Sequence, residues 1–397
     1  RRRASALASC LAIAALLLAA CGDDGGGGSN ASNGSLPAIK IGFIAERSGD
    51  YQALGVPAAR AAELAIKQLN DRGGVTVRGK HYRFELVMRD SRSEENQATA
   101  AAVELTEDDG VKFVFGGIGR LAPLVMQQTE RTHAVYFTSS SAAAARIADT
   151  QYLCATVVAT PLRIQASVNG IRRFLPDVRT IAFVGPDEVT SREVVPLIKD
   201  RAKQAGMDVV ADVRFPLGTT DLSSYLATAR GSHPDLIWAG GSSGTETALI
   251  VRQNEEANAA PRVFAWAATC SDSIGAGATR PIVANPLTGA DLIHPTNDAA
   301  KQFVRDFEEF TGSSAPPTLY SALWSYDFFF MLRDAIAKAG STEDTAAIRT
   351  ALLSVQYEGV NGTVLFGRDR SAVFPMAICS YPGAGGVGAY VGAQIGA

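Results

Sequence analysis

Two stretches of this chain alternate strand-like and helix-like patterns in the same order, and no other feature constrains the fold as much. The run AIKIGFI (Ala38 to Ile44) reads as a strand. The segment VPAARAAELAIKQLN then sets Ala59, Ala62, Leu64, Ala65, Ile66 and Leu69 at helical spacing and stops at Gly73-Gly74. YRFELVMRD alternates as a strand, SEENQATAAAVELTEDDG opens on a Ser cap and closes on Gly110, and KFVFGG, a helix from about Ala122 and AVYFTSSS follow. The cycle resumes with RTIAFVG and runs through SREVVPLIKDRAKQAG, MDVVADVRFP, DLSSYLATARG, DLIWAGG and TETALIVRQNEEAN to RVFAWAA. Strand, helix and strand joined by short loops predict parallel sheets covered by helices on both faces. The two series, Ile39 to Phe137 and Thr180 to Ala267, predict two similar α/β lobes, with Tyr152 to Pro161 as a crossover. At 397 residues there is chain enough for them and more.

The last third is more helical. Its aromatic cluster Trp324, Tyr326, Phe328, Phe329 and Phe330 sits at helical spacing and reads as core rather than as a ligand cage. GVNGTVLFG and VFPMAICSY read as closing strands, and the tail GAGGVGAYVGAQIGA as frayed or loosely docked.

At the other end, Arg1-Arg2-Arg3 followed by ASALASCLAIAALLLAA has the form of a signal peptide over residues 1–20, too short for a comfortable membrane span. It closes on Leu18-Ala19-Ala20-Cys21, a lipobox, so Cys21 is the expected lipidation site. Residues 21–36 have almost nothing to bury and read as a flexible tether. Export leaves Cys154, Cys270 and Cys379 as one disulfide plus a thiol, or as three thiols. His81, His133, His233 and His294 are far apart and no C-x-x-C occurs, so no zinc or haem spacing is present. With 37 Lys+Arg against 40 Asp+Glu, a net charge of −3 and no basic stripe, the composition argues against nucleic acid as a partner.

Ligands of open parallel sheets bind at the carboxyl ends of the strands. Four such loops are rich in small polar residues: Glu46 to Tyr51 with Ser48, Gly116 to Arg120, Thr138 to Ser141 with Ser139 and Ser140, and Gly241 to Glu246. Hydroxyls and N–H groups at helix starts suit a carboxylate, and Glu246 suits an ammonium or amide. Ser and Thr are equally common there as plain N-caps. Gly240-Gly241-Ser242-Ser243-Gly244 also satisfies G-x-S-x-G between strand and helix, with His294 and Asp272 or Asp291 following, the order of a serine hydrolase. No H-G-G-G-type oxyanion segment precedes it. No G-K-[ST] phosphate loop occurs either.

Taken in order, IKIGFIAERSGDYQALG, LAIKQLNDRGGV, ELVMRDSRSEENQATAAAVEL, VKFVFGG, AVYFTSSS, DLIWAGGSSGTETALIVRQ, LYSALWSYD and GVNGTVLFG resemble the leucine/isoleucine/valine-binding type of periplasmic substrate-binding protein. The resemblance covers nearly all of Pro37 to Tyr381. It implies a type I fold: two doubly wound parallel-sheet lobes joined by a three-strand hinge, a small ligand in the cleft, and delivery to an ABC permease. It implies no cofactor, no metal, no catalysis and a monomer, with the lipid anchor holding the protein at the outer face of the cytoplasmic membrane. A non-transport ligand sensor on the same scaffold is the other non-enzymatic reading.

By position, the resemblance puts Ser48-Gly49 in the first cleft loop (which also holds the candidate Tyr51), Ser139, Ser140 and Ser141 against an amino acid's α-groups, Glu246 against its ammonium, and Tyr320 near a cleft aromatic. The chain departs from the family at Arg120 or Leu121, where amino-acid binders place Ser, and at Thr190-Ser191, where a Tyr-Gly pair closes on the ligand. These departures admit a more acidic or otherwise substituted ligand: an amino acid, an amide or a small carboxylate. The first lobe is expected over 37–153 and 283–358, and the second over 154–282 and 359–397. Cys154 and Cys379 then lie on strands that enter and re-enter the second lobe, which makes a Cys154–Cys379 disulfide the expected pairing, with Cys270 free.

Overall fold

A computed structural model describes residues 36–240, 244–285, 288–290, 292, 295, 297–383 and 389–393. The chain first forms β1 (Ala38–Ala45), α1 (Gln52–Asp71), β2 (Val75–Val77), β3 (Lys80–Asp90), α2 (Glu95–Val103), β4 (Phe113–Gly116), α3 (Ala122–Thr132), β5 (Val135–Thr138), α4 (Ser141–Ala144) and β6 (Leu153–Val158). It crosses to α5 (Thr160–Phe174), β7 (Thr180–Pro186), α6 (Val189–Gln204), β8 (Asp208–Phe215), α7 (Ser223–Gly231), β9 (Leu236–Ala239), α8 (Gly244–Ala257), β10 (Val263–Trp266), α9 (Cys270–Gly275) and β11 (Ile282–Asn285). It returns through α10 (Asp298–Thr311), a 3-10 segment (Pro317–Trp324), α11 (Tyr326–Ala339), α12 (Thr345–Leu352), β12 (Gln356–Gly359), β13 (Gly362–Phe366) and β14 (Ser371–Val373). It ends in β15 (Met376–Tyr381) and β16 (Ala389–Ala393).

The first sheet has the order β12-β13-β14-β6-β5-β4-β1-β3-β2 and the second β16-β15-β11-β10-β9-β7-β8. Within them, β3-β1-β4-β5-β6 and β8-β7-β9-β10-β11 are parallel and wound identically. This is the type I arrangement of two α/β lobes, and the chain passes between the sheets after β6, after β11 and after β14. Sheet membership changes later than the expected boundaries. Residues 154–158 and 362–373 pair in the first sheet and 283–285 in the second, because each strand completes its ladder before the chain leaves.

Central strands read as unbroken apolar runs because both faces are covered: LIWA of β9 and VFAW of β10 are buried throughout. Helix α1 offers an alanine-rich face (Ala58, Ala59, Ala61, Ala62, Ala65) that lets it lie close to the first sheet. The aromatic cluster is core, as its spacing predicts. Phe329 stacks on Phe115 at 4.2 Å, Phe115 on Phe137 at 4.3 Å, and Phe328 and Phe330 are buried. Part of the tail expected to fray is an edge strand, β16, paired antiparallel with β15.

The disulfide differs from the expected one. Cys270 at the start of α9 bonds to Cys379 on β15, with Cα atoms 6.0 Å apart. Strand β15 pairs with β11, where Cys379 stands opposite Ala284, while Cys154 lies in β6 of the other sheet. Cys154 is a buried thiol that burial pushes up to about 12.

Candidate functional site

In each sheet the strand order reverses at one point, beside β1 and β4 in the first and beside β7 and β9 in the second. Loops leaving the carboxyl ends of such strands open a crevice. A cavity of about 920 Å³ lies there, lined from the first lobe by Asp50, Tyr51, Leu54, Arg120, Thr318 and Tyr320. The second lobe contributes Phe215, Leu217, Thr219, Thr220, Glu246, Leu249 and Arg252. Its walls are largely aliphatic and aromatic, with charge at a few points, the composition of a site for a small organic solute.

Arg120 follows β4 in a loop whose Gly116, Gly117 and Gly119 all have positive φ. Any other residue at Gly116 would put a Cβ 2.0 Å from the Ile44 carbonyl oxygen. The guanidinium lies 5.1 Å from the Tyr51 ring centroid, donates to the Tyr51 hydroxyl at 3.0 Å and donates to the Ser93 carbonyl at 3.0 Å. The carboxylates of Asp50 and Glu95 stand 3.6 and 3.8 Å away. Arg120 is thus a braced, partly neutralised cation on the first-lobe wall. Burial raises the Tyr51 phenol above its ordinary value against the opposing pull of the Arg120 charge.

On the opposite wall, Glu246 lies in the first turn of α8, close enough for its charge to act on Tyr51. Tyr320 is buried in the 3-10 segment, and its hydroxyl donates to the Ala267 carbonyl at 3.2 Å. Tyr51, Arg120, Glu246 and Tyr320, singled out in the sequence, therefore meet on one cavity.

Other singled-out residues stand elsewhere. Ser48 donates to Asp90 Oδ2 at 3.1 Å. Ser140 donates to the Gly119 carbonyl at 2.7 Å and accepts from the Ala143 amide at 3.4 Å, so its hydroxyl caps α4 and braces the Arg120 loop. Ser139 and Thr190 are half-buried, at the end of β5 and in the first turn of α6. Ser242, Asp291, His294 and Cys21 lie outside the described residues, as do the side chains of Ser141 and Asp272. Among the described residues, no group of three His, Cys, Asp or Glu side chains is placed to hold a metal. No described helix is long and apolar enough to cross a membrane.

Three lining features escaped the sequence reading. Arg252 shares a face of α8 with Ala248 and Leu249, a helical spacing that was legible. Thr219-Thr220 follow β8 and obey the same carboxyl-end rule as the four loops chosen. Asp50 sits inside a chosen loop and pairs with Arg120.

Residues 38–386 match the family described as periplasmic binding protein. The Leu/Ile/Val-binding protein homolog 8 of Brucella suis is 28% identical over 242 residues, which span 59% of this chain and 59% of that protein. A leucine-binding protein, LivK, from Thermotoga maritima has a TM-score of 0.73 at 20% identity, covering 89% of this chain and 97% of its own. A solute-binding protein from R. palustris, solved with benzoate, has a TM-score of 0.74 at 18% identity, covering 91% and 98%. At those identities the likeness is one of fold.

Proposed function

This chain belongs to the periplasmic binding protein family, and on that premise we propose that it is the extracytoplasmic solute-binding component of an ABC importer. It captures an amino acid, an amide or a small carboxylate between its lobes by hinge closure. It works as a monomer held to the outer face of the cytoplasmic membrane by lipid on Cys21, and passes its ligand to a membrane permease.

The observation that carries this reading is the cavity of about 920 Å³ walled by both lobes, by the loops after β1 and β4 on one side and by the loop after β8 and helix α8 on the other. Its aliphatic lining and the facing charges of Arg120, Glu246 and Arg252 suit a ligand with an apolar body and a polar head. The leucine and benzoate named for the two similar structures share that build.

A thermal-shift screen of amino acids, amides and small carboxylates tests it. A ligand at 100 times its Kd adds about 2.7 kcal/mol of stability, and the same ligand must compact the protein in small-angle scattering. A screen with no shift and no compaction counts against capture. Labelling by a fluorophosphonate that is lost in Ser242→Ala would replace it with hydrolysis.

A further inference from the structure

Glu46 directly follows β1 and is almost wholly enclosed, at 1% exposure. Its Oε1 accepts from the Ile118 amide at 3.0 Å, two residues before Arg120. On its other side the first turn of α1 approaches so closely that a Cβ on Gly55 would fall 2.1 Å from the Glu46 carbonyl oxygen and 2.7 Å from its Cβ. That turn carries Tyr51 and Leu54 into the cleft. Glu46 therefore joins the two first-lobe segments that form the cavity wall, beneath the contact that Arg120 and Tyr51 make above it.

We propose that Glu46 is a positioning residue whose protonation state sets how firmly the Arg120 loop is held against α1, making the first-lobe wall of the cleft responsive to pH. The groups around it are few. Strand β3 brings Asp90, whose carboxyl is already engaged by the Arg47 and Arg92 amides and the Ser48 hydroxyl. Strand β5 brings the Tyr136 phenol, which donates to the Gly116 carbonyl at 2.9 Å and which burial keeps neutral. Helix α1 brings the backbone of Gly55, and the loop brings the Ile118 amide. None of these described groups is a cation.

The direction follows from burial. Desolvation raises the Glu46 carboxyl from 4.5 to about 8, Asp90 adds to the rise, and the amides of Ile118 and Glu46 itself oppose it. If opening the loop returns the carboxyl to water, the open form ionises above pH 4.5 while the closed form stays neutral until about 8. Opening then becomes up to about tenfold easier per pH unit between those values and levels off above them. The effect on capture rests on the proposed function, but the response of the loop does not.

Amide hydrogen exchange of Ile118 and its neighbours in the full chain, from pH 5 to pH 9, reads this without any ligand. The protection factor is expected to fall with a slope of up to about tenfold per pH unit and to flatten near pH 8. Glu46→Gln keeps the acceptor for Ile118 without the proton, so it should remove the slope and leave the loop protected. Glu46→Ala should lower protection at every pH. Three outcomes overturn the proposal: a flat profile in the unmodified protein, a slope that survives Glu46→Gln, or a slope abolished by Asp90→Asn with Glu46 intact. The first needs no variant to fold.

Discussion

The Tyr320 hydroxyl donates to the carbonyl of Ala267 across 3.2 Å, and the two residues belong to different lobes. Tyr320 lies in the 3-10 segment that packs on α1, where Ser321 donates to the Leu54 carbonyl, whereas Ala267 follows β10 with φ at +53°. A left-handed alanine is costly, so its carbonyl is held in this direction by its surroundings. Under the proposed hinge closure, a bond between lobes favours the closed arrangement and would be lost on opening.

Tyr320→Phe should therefore weaken closure. A net hydrogen bond is worth about 0.5–1.5 kcal/mol, or roughly two- to tenfold in affinity. Calorimetry with whichever compound the thermal screen yields, paired with scattering of the free protein, measures both sides. Unchanged affinity together with unchanged compaction would remove the lobe-bridging role.

The Cys270–Cys379 bond encloses a separation of 109 residues and ties α9, whose end at Gly275 reaches the cleft, to the strand that enters the second lobe last. Replacing both cysteines by serine should lower stability by about 2–5 kcal/mol, seen as a lower urea midpoint. Peptide mapping without reductant should find Cys154 unbridged and alkylated only after unfolding, since it is buried. A bridged Cys154 would sink this pairing.

Much of the fold was legible because strand and helix periods are local. Ile39, Ile41 and Phe43 or Ala59, Ala62 and Leu69 announce their elements from a few neighbours. The disulfide was not, because which strand lies beside β15 depends on a ladder formed across the second lobe with β11. The cavity was half legible. The carboxyl-end rule marks the loops that bring Tyr51, Arg120 and Glu246 to the cavity, whereas Thr219-Thr220 and Arg252 line it from outside the four polar loops. Ser48 and Ser140 show the limit of reading hydroxyls. The pattern that suits a ligand also suits a cap, and here Ser140 caps α4.

Arg120 and Glu246 should report different parts of the ligand. Loss of a charge-assisted bond that leaves a buried partner typically costs a few kcal/mol. Glu246→Gln should thus weaken an ammonium-bearing ligand by about a hundredfold, at about 1.4 kcal/mol per factor of ten. Arg120→Ala also strips the cover from Tyr51, so Arg120→Lys is the better comparison: it keeps the charge but not the fork that serves Tyr51 and Ser93 at once. If both Glu246→Gln and Arg120→Lys bind the selected ligand normally, the cleft assignment fails.

Asp327 on α11 is fully buried and accepts several hydrogen bonds. Its carboxyl accepts from the Val360 amide at 2.9 Å, the Asn361 amide at 2.8 Å and the Asn361 side chain at 2.9 Å. Asn361 in turn accepts from the Gly289 amide at 2.8 Å and donates to the Leu323 carbonyl at 3.0 Å. Gly289 belongs to the chain's second passage between the sheets, and the Ala377 amide near the start of β15 donates to the Thr288 carbonyl beside it. One carboxylate thus fixes the β12–β13 turn, and through Asn361 ties it to a segment that passes between the two sheets. Asp327→Asn keeps one acceptor oxygen and turns an amide N–H₂ toward the Val360 donor on Oδ1 or the two Asn361 donors on Oδ2, and each buried donor left unmade costs about 1–3 kcal/mol. With the remaining oxygen turned to Asn361, a loss of about 1–3 kcal/mol in urea unfolding is expected. Burial raises the Asp327 carboxyl above its ordinary value, so its share of stability falls as pH rises from 3.8 through the raised value. The penalty of Asp327→Asn should accordingly be larger at acid pH than at neutral pH. An equal midpoint for variant and native protein at both pH values would show that the turn is held by its other contacts.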